Sequence, residues 1–264
     1  MPLGVWDWGL VRCWLTPRAA CLQLPNRPLR FGRKSLGVAQ SLVPFTRATH
    51  FGYLFLTHTT GGDSLAWLFA RLRLPLEYME KAGDFCQQHN LKLHVDGARL
   101  WNAAVALKVP LKEVVRRADS VSICFSKGLG APVGSVLCGP TDFIAKARRL
   151  RKAVGGGLRQ VGVLAAAQLY ALDHNLERLH EDHENASRLA AGLKALGLHV
   201  LPAPTNIVFF DVDEAPQVVA SLGQRGVRIL CTDGRRRCRA VTHLHIRSKD
   251  IDYFLTQISE ILSK

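Results

Sequence analysis

Ser122-Ile123-Cys124-Phe125-Ser126-Lys127-Gly128 is the stretch on which the reading turns. With Val121 before it, it forms a short apolar run carrying β-branched residues, the mark of a buried strand. The run ends in a lysine and then in glycines, Gly128, Gly130 and Gly134. Ligands of open α/β sheets sit beyond the carboxyl ends of the strands. Lys127 is therefore expected to have a buried stem and an amine facing a crevice. Such an amine loses hydration, its pKa falls, and it can attack a carbonyl to form a Schiff base. A lysine that merely closes a strand at the surface is the plainer alternative.

Upstream, Leu91-Lys92-Leu93-His94-Val95-Asp96-Gly97-Ala98-Arg99 repeats the pattern, with Asp96 near the end of the apolar run. Between the two runs, residues 101–118 read as helical, and Pro110 divides them into two shorter helices. Strand, helix and strand make a right-handed crossover, so the two strands should be parallel. Asp96 and Lys127 then emerge at one edge of one sheet. Pyridoxal phosphate needs such a pair: an amine for its aldehyde, and a carboxylate that keeps the pyridine nitrogen protonated. Helix N-cap is the competing reading for Asp96, and the two roles are compatible.

The remaining composition narrows the field. The chain has 264 residues, 48% of them hydrophobic and 21% charged, ordinary for a globular protein with a real core. No stretch approaches the roughly 18 apolar residues of a membrane helix. Seven cysteines occur without a CxxC pair or a metal-like cluster, which reads as reduced thiols. His174, His180 and His183 fall on or just before one helix, but no further ligands join them, and a solvated face is expected. The net charge is +14, and residues 1–73 hold nine Arg or Lys against two acids. No aromatic–basic interleaving accompanies that charge, so nucleic acid is not the expected partner.

Residues 1–50 carry five prolines, irregular aromatics and one acid, Asp7, and show no lasting period. A poorly ordered segment is expected, with an organellar leader as the alternative, so the location is cytoplasmic or else mitochondrial. Phe51–Leu56 reads as a strand and Ser64–Leu74 as a helix. Leu76–His89 is an amphipathic helix ended by Asn90. Val133–Cys138 is a strand and Phe143–Val154 a basic helix. Val161–Leu172 is apolar nearly all round and reads as a buried helix. A longer amphipathic helix runs from Asn175 to Leu196, with Gly197 as its C-cap. Strands are expected over His199–Leu201, Asn206–Val212, Val227–Cys231 and Ala240–Ile246. Helices are expected over Ala215–Gly223 and Lys249–Leu262. The expected organisation is a basic segment (1–75), an α/β large domain with a mostly parallel sheet (76–177) and a small C-terminal α+β domain (178–264).

Four segments in order resemble one family. They are His94-Val95-Asp96-Gly97-Ala98-Arg99-Leu100-Trp101-Asn102-Ala103; Ser126 to Ser135; Arg151-Lys152 with Gly155-Gly156-Gly157-Leu158-Arg159-Gln160; and Arg239-Ala240-Val241-Thr242-His243-Leu244. The chain from about Leu76 onward resembles the low-specificity L-threonine aldolases, pyridoxal phosphate enzymes of the aspartate-aminotransferase-like fold.

The resemblance implies roles residue by residue. Lys127 matches the lysine that holds the cofactor, and Asp96 the carboxylate on its ring nitrogen. Arg99 matches an arginine beside cofactor and substrate, and Arg239 the arginine that grips the substrate carboxylate. A guanidinium suits that task because it pairs with a carboxylate through two parallel hydrogen bonds. Lys152 and Arg159 match basic residues that reach the cofactor phosphate of a neighbouring subunit, so a homodimer or homotetramer is implied. His58, in Thr57-His58, stands where the family places an acid–base histidine. No metal is implied. The implied reaction is retro-aldol cleavage of L-threonine or L-allo-threonine, a small β-hydroxy amino acid, to glycine and acetaldehyde.

Residues 1–56 contain no Gly-Thr dipeptide to make the family's phosphate-binding turn at a helix N-terminus. Two readings therefore stand: an active aldolase, or a catalytically impaired form that acts, if at all, by associating with other subunits.

Overall fold

The computed structural model of the protein describes the backbone of residues 52–58 and 64–70, and residues 75–263 in full. The first two segments are strands β1 (Gly52–His58) and β2 (Ser64–Ala70), paired antiparallel. The second corrects an expectation, since Ser64–Ala70 is a strand and not a helix. Its near-continuous apolar run fits either element by periodicity, and pairing with the next strand decides the matter.

Helix α1 (Leu76–Gln88) buries Met79, Ala82, Gly83 and Cys86, an i, i+3, i+4, i+7 stripe. Asn90 takes a left-handed φ of 51° and turns the chain into β3 (Leu91–Gly97). The expected break follows: α2 (Leu100–Leu107) and α3 (Leu111–Val114) flank Pro110, which cannot donate to a continuing helix. The chain then enters β4 (Ser120–Cys124). Asp119 fastens the crossover. Its N–H donates to the Leu93 carbonyl at 2.9 Å, and its Oδ2 accepts the Leu93 N–H at 2.8 Å.

With β5 (Ser135–Cys138), these strands form one sheet of order β1-β2-β3-β4-β5. Pairing is parallel through β2, β3 and β4, and antiparallel at the β1 and β5 ends. Leu93 and Val95 from β3, Val121 and Ile123 from β4, Trp101, Phe125, Leu129 and Leu172 form the first core. The Trp101 and Phe125 rings meet edge-on at 5.9 Å. Each such side chain, fully buried, contributes about 1.5–3 kcal/mol.

Helix α4 (Thr141–Ala153) begins two residues before the expected start, because Pro140 caps it. Helix α5 (Gly162–Asn175) was expected to be buried all round. It buries only Ala165, Gln168, Ala171 and Leu172, and leaves Val163 80% and Tyr170 62% exposed. Helix α6 (Leu179–Ala195) then crosses between two cores, with Leu179 in the first and Ala186 onward in the second. Gly197 ends it at a φ of 80°, a left-handed cap that costs glycine nothing.

The second core lies over an antiparallel sheet of order β6-β7-β9-β8: β6 (His199–Val200), β7 (Ile207–Asp211), β8 (Leu230–Cys231) and β9 (Arg237–Val241). Helices α7 (Ala215–Gln224) and α8 (Ser248–Leu262) complete it. Val208, Phe210, Cys238 and Ala240 point inward against Leu193, Leu222 and Ile258. β9 begins three residues earlier than expected, because Arg237 and Arg239 alternate with the buried Cys238 and Ala240.

Candidate active site

Parallel pairing of β3 and β4 sets Asp96 beside Ser122, so both strands deliver their carboxyl ends to one edge. Beyond β4, Phe125 accepts the Ala131 N–H at 3.0 Å and donates to the Gly134 carbonyl at 3.1 Å. Within that loop, Gly130 donates to the Lys127 carbonyl at 2.9 Å and closes a tight turn with its own φ at 69°. Phe125 and Leu129 take the inward positions, 1% and 0% exposed. Lys127 is thereby lifted outward and is exposed, which corrects the expected buried stem.

Asp96 is half-buried, and its Oδ1 accepts the Ala98 N–H at 3.1 Å. That bond orders the turn ahead of α2, but the helix N-cap position itself belongs to Arg99. His94, two residues earlier and on the same face, is buried and shares a 2.8 Å hydrogen bond between its Nδ1 and Ser120 Oγ. Burial holds the His94 imidazole below its ordinary pKa, against the opposing pull of Asp96.

Arg99 is the electrostatic hub. Burial and then the neighbouring Arg239 lower its pKa, while Cys124 and Asp182 act the other way. Arg239 arrives from the second sheet, on the face of β9 opposite Cys238 and Ala240. Arg99 and Arg239 are both half-buried, and two guanidiniums that feel one another's charge suit a carboxylate, which pairs with a guanidinium through two hydrogen bonds. His243 stands just past β9. Burial, His245 and Arg99 keep it below its usual pKa. Its Nδ1 lies 3.3 Å from the His245 N–H, which donates to it.

Further residues complete the arrangement. Asn102 is 1% exposed, with its Nδ2 3.2 Å from His183 Nε2. Burial and then His180 press His183 down to about 4, so it is neutral at pH 7 and accepts from the amide. This corrects the expected solvated histidine face: α6 packs on α2, and His183 is half-buried between them. His174 and His180 bond instead to the carbonyls of Tyr170 and Glu177. Gly128 is required here, because a Cβ would stand 2.9 Å from Asn102 Oδ1 and 3.1 Å from Leu179 Cδ2. Thr242 donates its hydroxyl to the Asp182 carbonyl at 2.6 Å, and Asn206 Nδ2 donates to the Thr242 carbonyl at 2.7 Å. The end of β9, three residues past Arg239, is thus tied to α6.

The remaining sequence candidates lie elsewhere. His58 closes β1 opposite Ser64, which pairs with Leu91. It therefore stands level with the start of β3, about 17 Å along the strand from Asp96 at about 3.3 Å per residue. The structure does not bring the His58 backbone to Lys127, because β1 runs antiparallel to β2 and β3 and so ends at the opposite sheet edge; the His58 side chain is outside the described residues. Lys152, in the last turn of α4, and Arg159, in the following loop, are both exposed. The Lys152 side chain lies over Gly157, where a Cβ would be 3.3 Å from its Nζ. Leu150, Val154, Leu158 and Val163 are exposed around them. Among the described residues there is no cluster of three or more metal-binding side chains, and no helix is long and apolar enough to cross a membrane.

The donor set fits pyridoxal phosphate: an accessible amine at Lys127, a half-buried carboxylate at Asp96 on the same sheet edge, and two guanidiniums for an amino-acid carboxylate. An α/β large-domain sheet, an antiparallel small sheet and a lysine turn beyond β4 define the class, that of the fold type I pyridoxal phosphate enzymes. The likeness extends to solved structures. A Leishmania major threonine aldolase superposes with a TM-score of 0.61 at 23% identity, covering 71% of this chain and 56% of the other. A Sphingomonas wittichii serine palmitoyltransferase gives 0.56 at 17% identity, covering 69% and 50%. The chain belongs to the beta-eliminating lyase family, whose profile matches residues 72–215. Low-specificity L-threonine aldolase 1 of Arabidopsis thaliana is 45% identical over 191 residues, covering 69% of this chain and 53% of the relative. The low specificity L-threonine aldolase of Escherichia coli K12 is 46% identical over 179 residues, covering 67% and 53%. The chain spans about half the length of the curated relatives it matches.

Proposed function

We propose that this chain binds pyridoxal phosphate and cleaves a small β-hydroxy amino acid of the L-threonine type into glycine and an aldehyde. The observation that carries the reading is the convergence of Lys127 and Asp96 on one sheet edge with Arg99 and Arg239 drawn together from different elements. The relatives named as threonine aldolases support the substrate class.

When bound, the cofactor supplies an electron sink for breaking the Cα–Cβ bond. Lys127, on a turn closed by Gly130, would hold the cofactor through its amine. Asp96 would hold the cofactor's ring nitrogen, its carboxylate favouring the protonated form. Arg99 and Arg239 hold the amino-acid carboxylate and so orient the side chain to be cleaved. His243 follows directly on β9, and its lowered pKa keeps it neutral and able to accept a proton at pH 7. Lys152 and Arg159 serve a second copy of the chain, docked over the exposed Leu150, Val154, Leu158 and Val163.

The test is product formation from L-threonine and L-allo-threonine by the purified chain with added pyridoxal phosphate. Glycine and acetaldehyde in equal amounts, lost in Lys127→Ala and Asp96→Asn, are expected. Folded, cofactor-loaded protein that releases neither product would overturn the reading and leave the impaired form in its place.

A further inference from the structure

Asp182 is an anomaly of the fold. It is 1% exposed, yet neither carboxylate oxygen has a hydrogen-bond partner. Buried carboxyl groups are ordinarily satisfied, and an orphaned one costs stability rather than contributing it. Nothing in the packing of α6 requires an acid there. The Thr242 hydroxyl, which ties β9 to this helix, uses the Asp182 backbone carbonyl and ignores the side chain. Among the described residues the guanidinium of Arg99 makes no hydrogen bond either. The two groups are brought to one place by the contact of α2 with α6, where Asn102, three residues past Arg99, meets His183, the neighbour of Asp182, at 3.2 Å; Arg178 first and then Arg99 are the cations that act on the Asp182 carboxyl.

We propose, on the reading of Arg99 and Arg239 as the carboxylate receptor, that Asp182 is a positioning residue: the internal counter-charge of Arg99, which sets how strongly the arginine pair takes a substrate carboxylate. The physics is a competition. Two clustered guanidiniums attract an incoming anion, and a fixed anion behind one of them weakens that attraction. Because the Asp182 oxygens are not engaged by Arg99, the effect comes through charge and leaves the guanidinium free to face the ligand. Substrate is thus held without being trapped, which suits a site that must release glycine, itself a carboxylate.

The surrounding charges make the prediction specific. Arg99 precedes α2, Arg178 and Glu181 flank Asp182 on α6, Cys124 ends β4, and Arg239 and His243 come from β9 and the turn after it. Burial raises Asp182 to about 6, with Glu181 adding to the rise and Arg178 and Arg99 opposing it. The sign follows: below that value Asp182 is neutral and the arginine pair is at full strength; above it the carboxylate competes. His183, pressed to about 4, does not change charge in that window.

The probe is 3-hydroxybutyrate, which has the carboxylate and hydroxyl of threonine but no amine, titrated calorimetrically into the full chain loaded with pyridoxal phosphate. Wild-type affinity should fall as pH rises through about 6. Asp182→Asn should bind at least about fivefold more tightly at pH 7.5, with that pH step gone. The same variant should gain thermal stability at pH 7.5, since an orphaned charge is removed. The wild-type pH series needs no variant and stands if Asp182→Asn does not fold: affinity flat from pH 5 to 8 overturns the inference. Equal or weaker binding by a folded Asp182→Asn overturns it too, and assigns Asp182 a structural role. If wild type binds no 3-hydroxybutyrate at any pH, the arginine pair is no carboxylate receptor, and the functional reading fails with it.

Discussion

Replacing Gly130 with alanine attacks the turn that presents Lys127, and its cost can be divided in advance. Gly130 has a φ of 69°, and a Cβ there would collide with the Cδ2 end of Leu244. The left-handed backbone costs an L-residue about 1–2 kcal/mol. Displacing the half-buried Leu244 adds an overpacking cost of about 1–3 kcal/mol. Together they predict about 2–5 kcal/mol of destabilisation, read as a shift of the urea midpoint at unchanged slope. Only the second part depends on Leu244. In Gly130→Ala/Leu244→Ala the collision disappears, so the double variant should be more stable than the sum of the single losses by about 1–3 kcal/mol. The cofactor-dependent absorbance should weaken in Gly130→Ala, because the turn that holds the amine has moved. Strict additivity of the two substitutions, or a Gly130→Ala cost below about 0.5 kcal/mol, a size typical of a neutral surface change, would refute the account of this turn.

Asn102→Ala should cost about 1–3 kcal/mol in urea unfolding, because it strips the half-buried His183 of its partner. The pH dependence of stability should carry a separate signature from Asp211. Arg237 donates to both Asp211 oxygens at 2.8 and 2.9 Å and His199 Nδ1 lies at 2.9 Å, which holds this carboxyl at about 2, below its ordinary 3.8. A lowered acid contributes stability above its unfolded pKa and loses it as pH falls toward about 2. Thermal melts of Arg237→Met between pH 2 and 5 should therefore show a flatter slope than wild type.

The parts of the fold that could be read from the chain are those whose signals are local. Pro110 divides one helical run, Asn90 and Gly197 end helices through left-handed φ, and the apolar stripe of α1 has a clear helical period. The crossover from β3 to β4, and with it the shared edge for Asp96 and Lys127, follows from local elements plus the rule of handedness. β2 was misread because Ser64–Ala70 is nearly all apolar, and only its parallel neighbour β3 makes it a strand. Exposure of Lys127 was missed because a strand pattern says nothing of the turn that follows, where Leu129 takes the buried place. The roles of Asn102, Asp182 and His183 are not legible in the sequence, because they lie in contacts between α2 and α6, elements separated by the whole of α3, β4, β5, α4 and α5. An acid on an amphipathic helix reads as solvated until the helix facing it is known. For Tyr170 and Val163 the error ran the other way, since composition suggested burial and only one face of α5 meets the core.

The central claim is that Lys127 is the amine that holds pyridoxal phosphate at the edge it shares with Asp96. The direct measurement is visible absorbance of the full chain after adding pyridoxal phosphate and removing the excess, compared with Lys127→Ala and Asp96→Asn. The account predicts a retained visible band in wild type, its loss in Lys127→Ala, an altered band in Asp96→Asn, and a further change when glycine is added. A band of equal strength in folded Lys127→Ala, or its absence from folded wild type, would contradict the account.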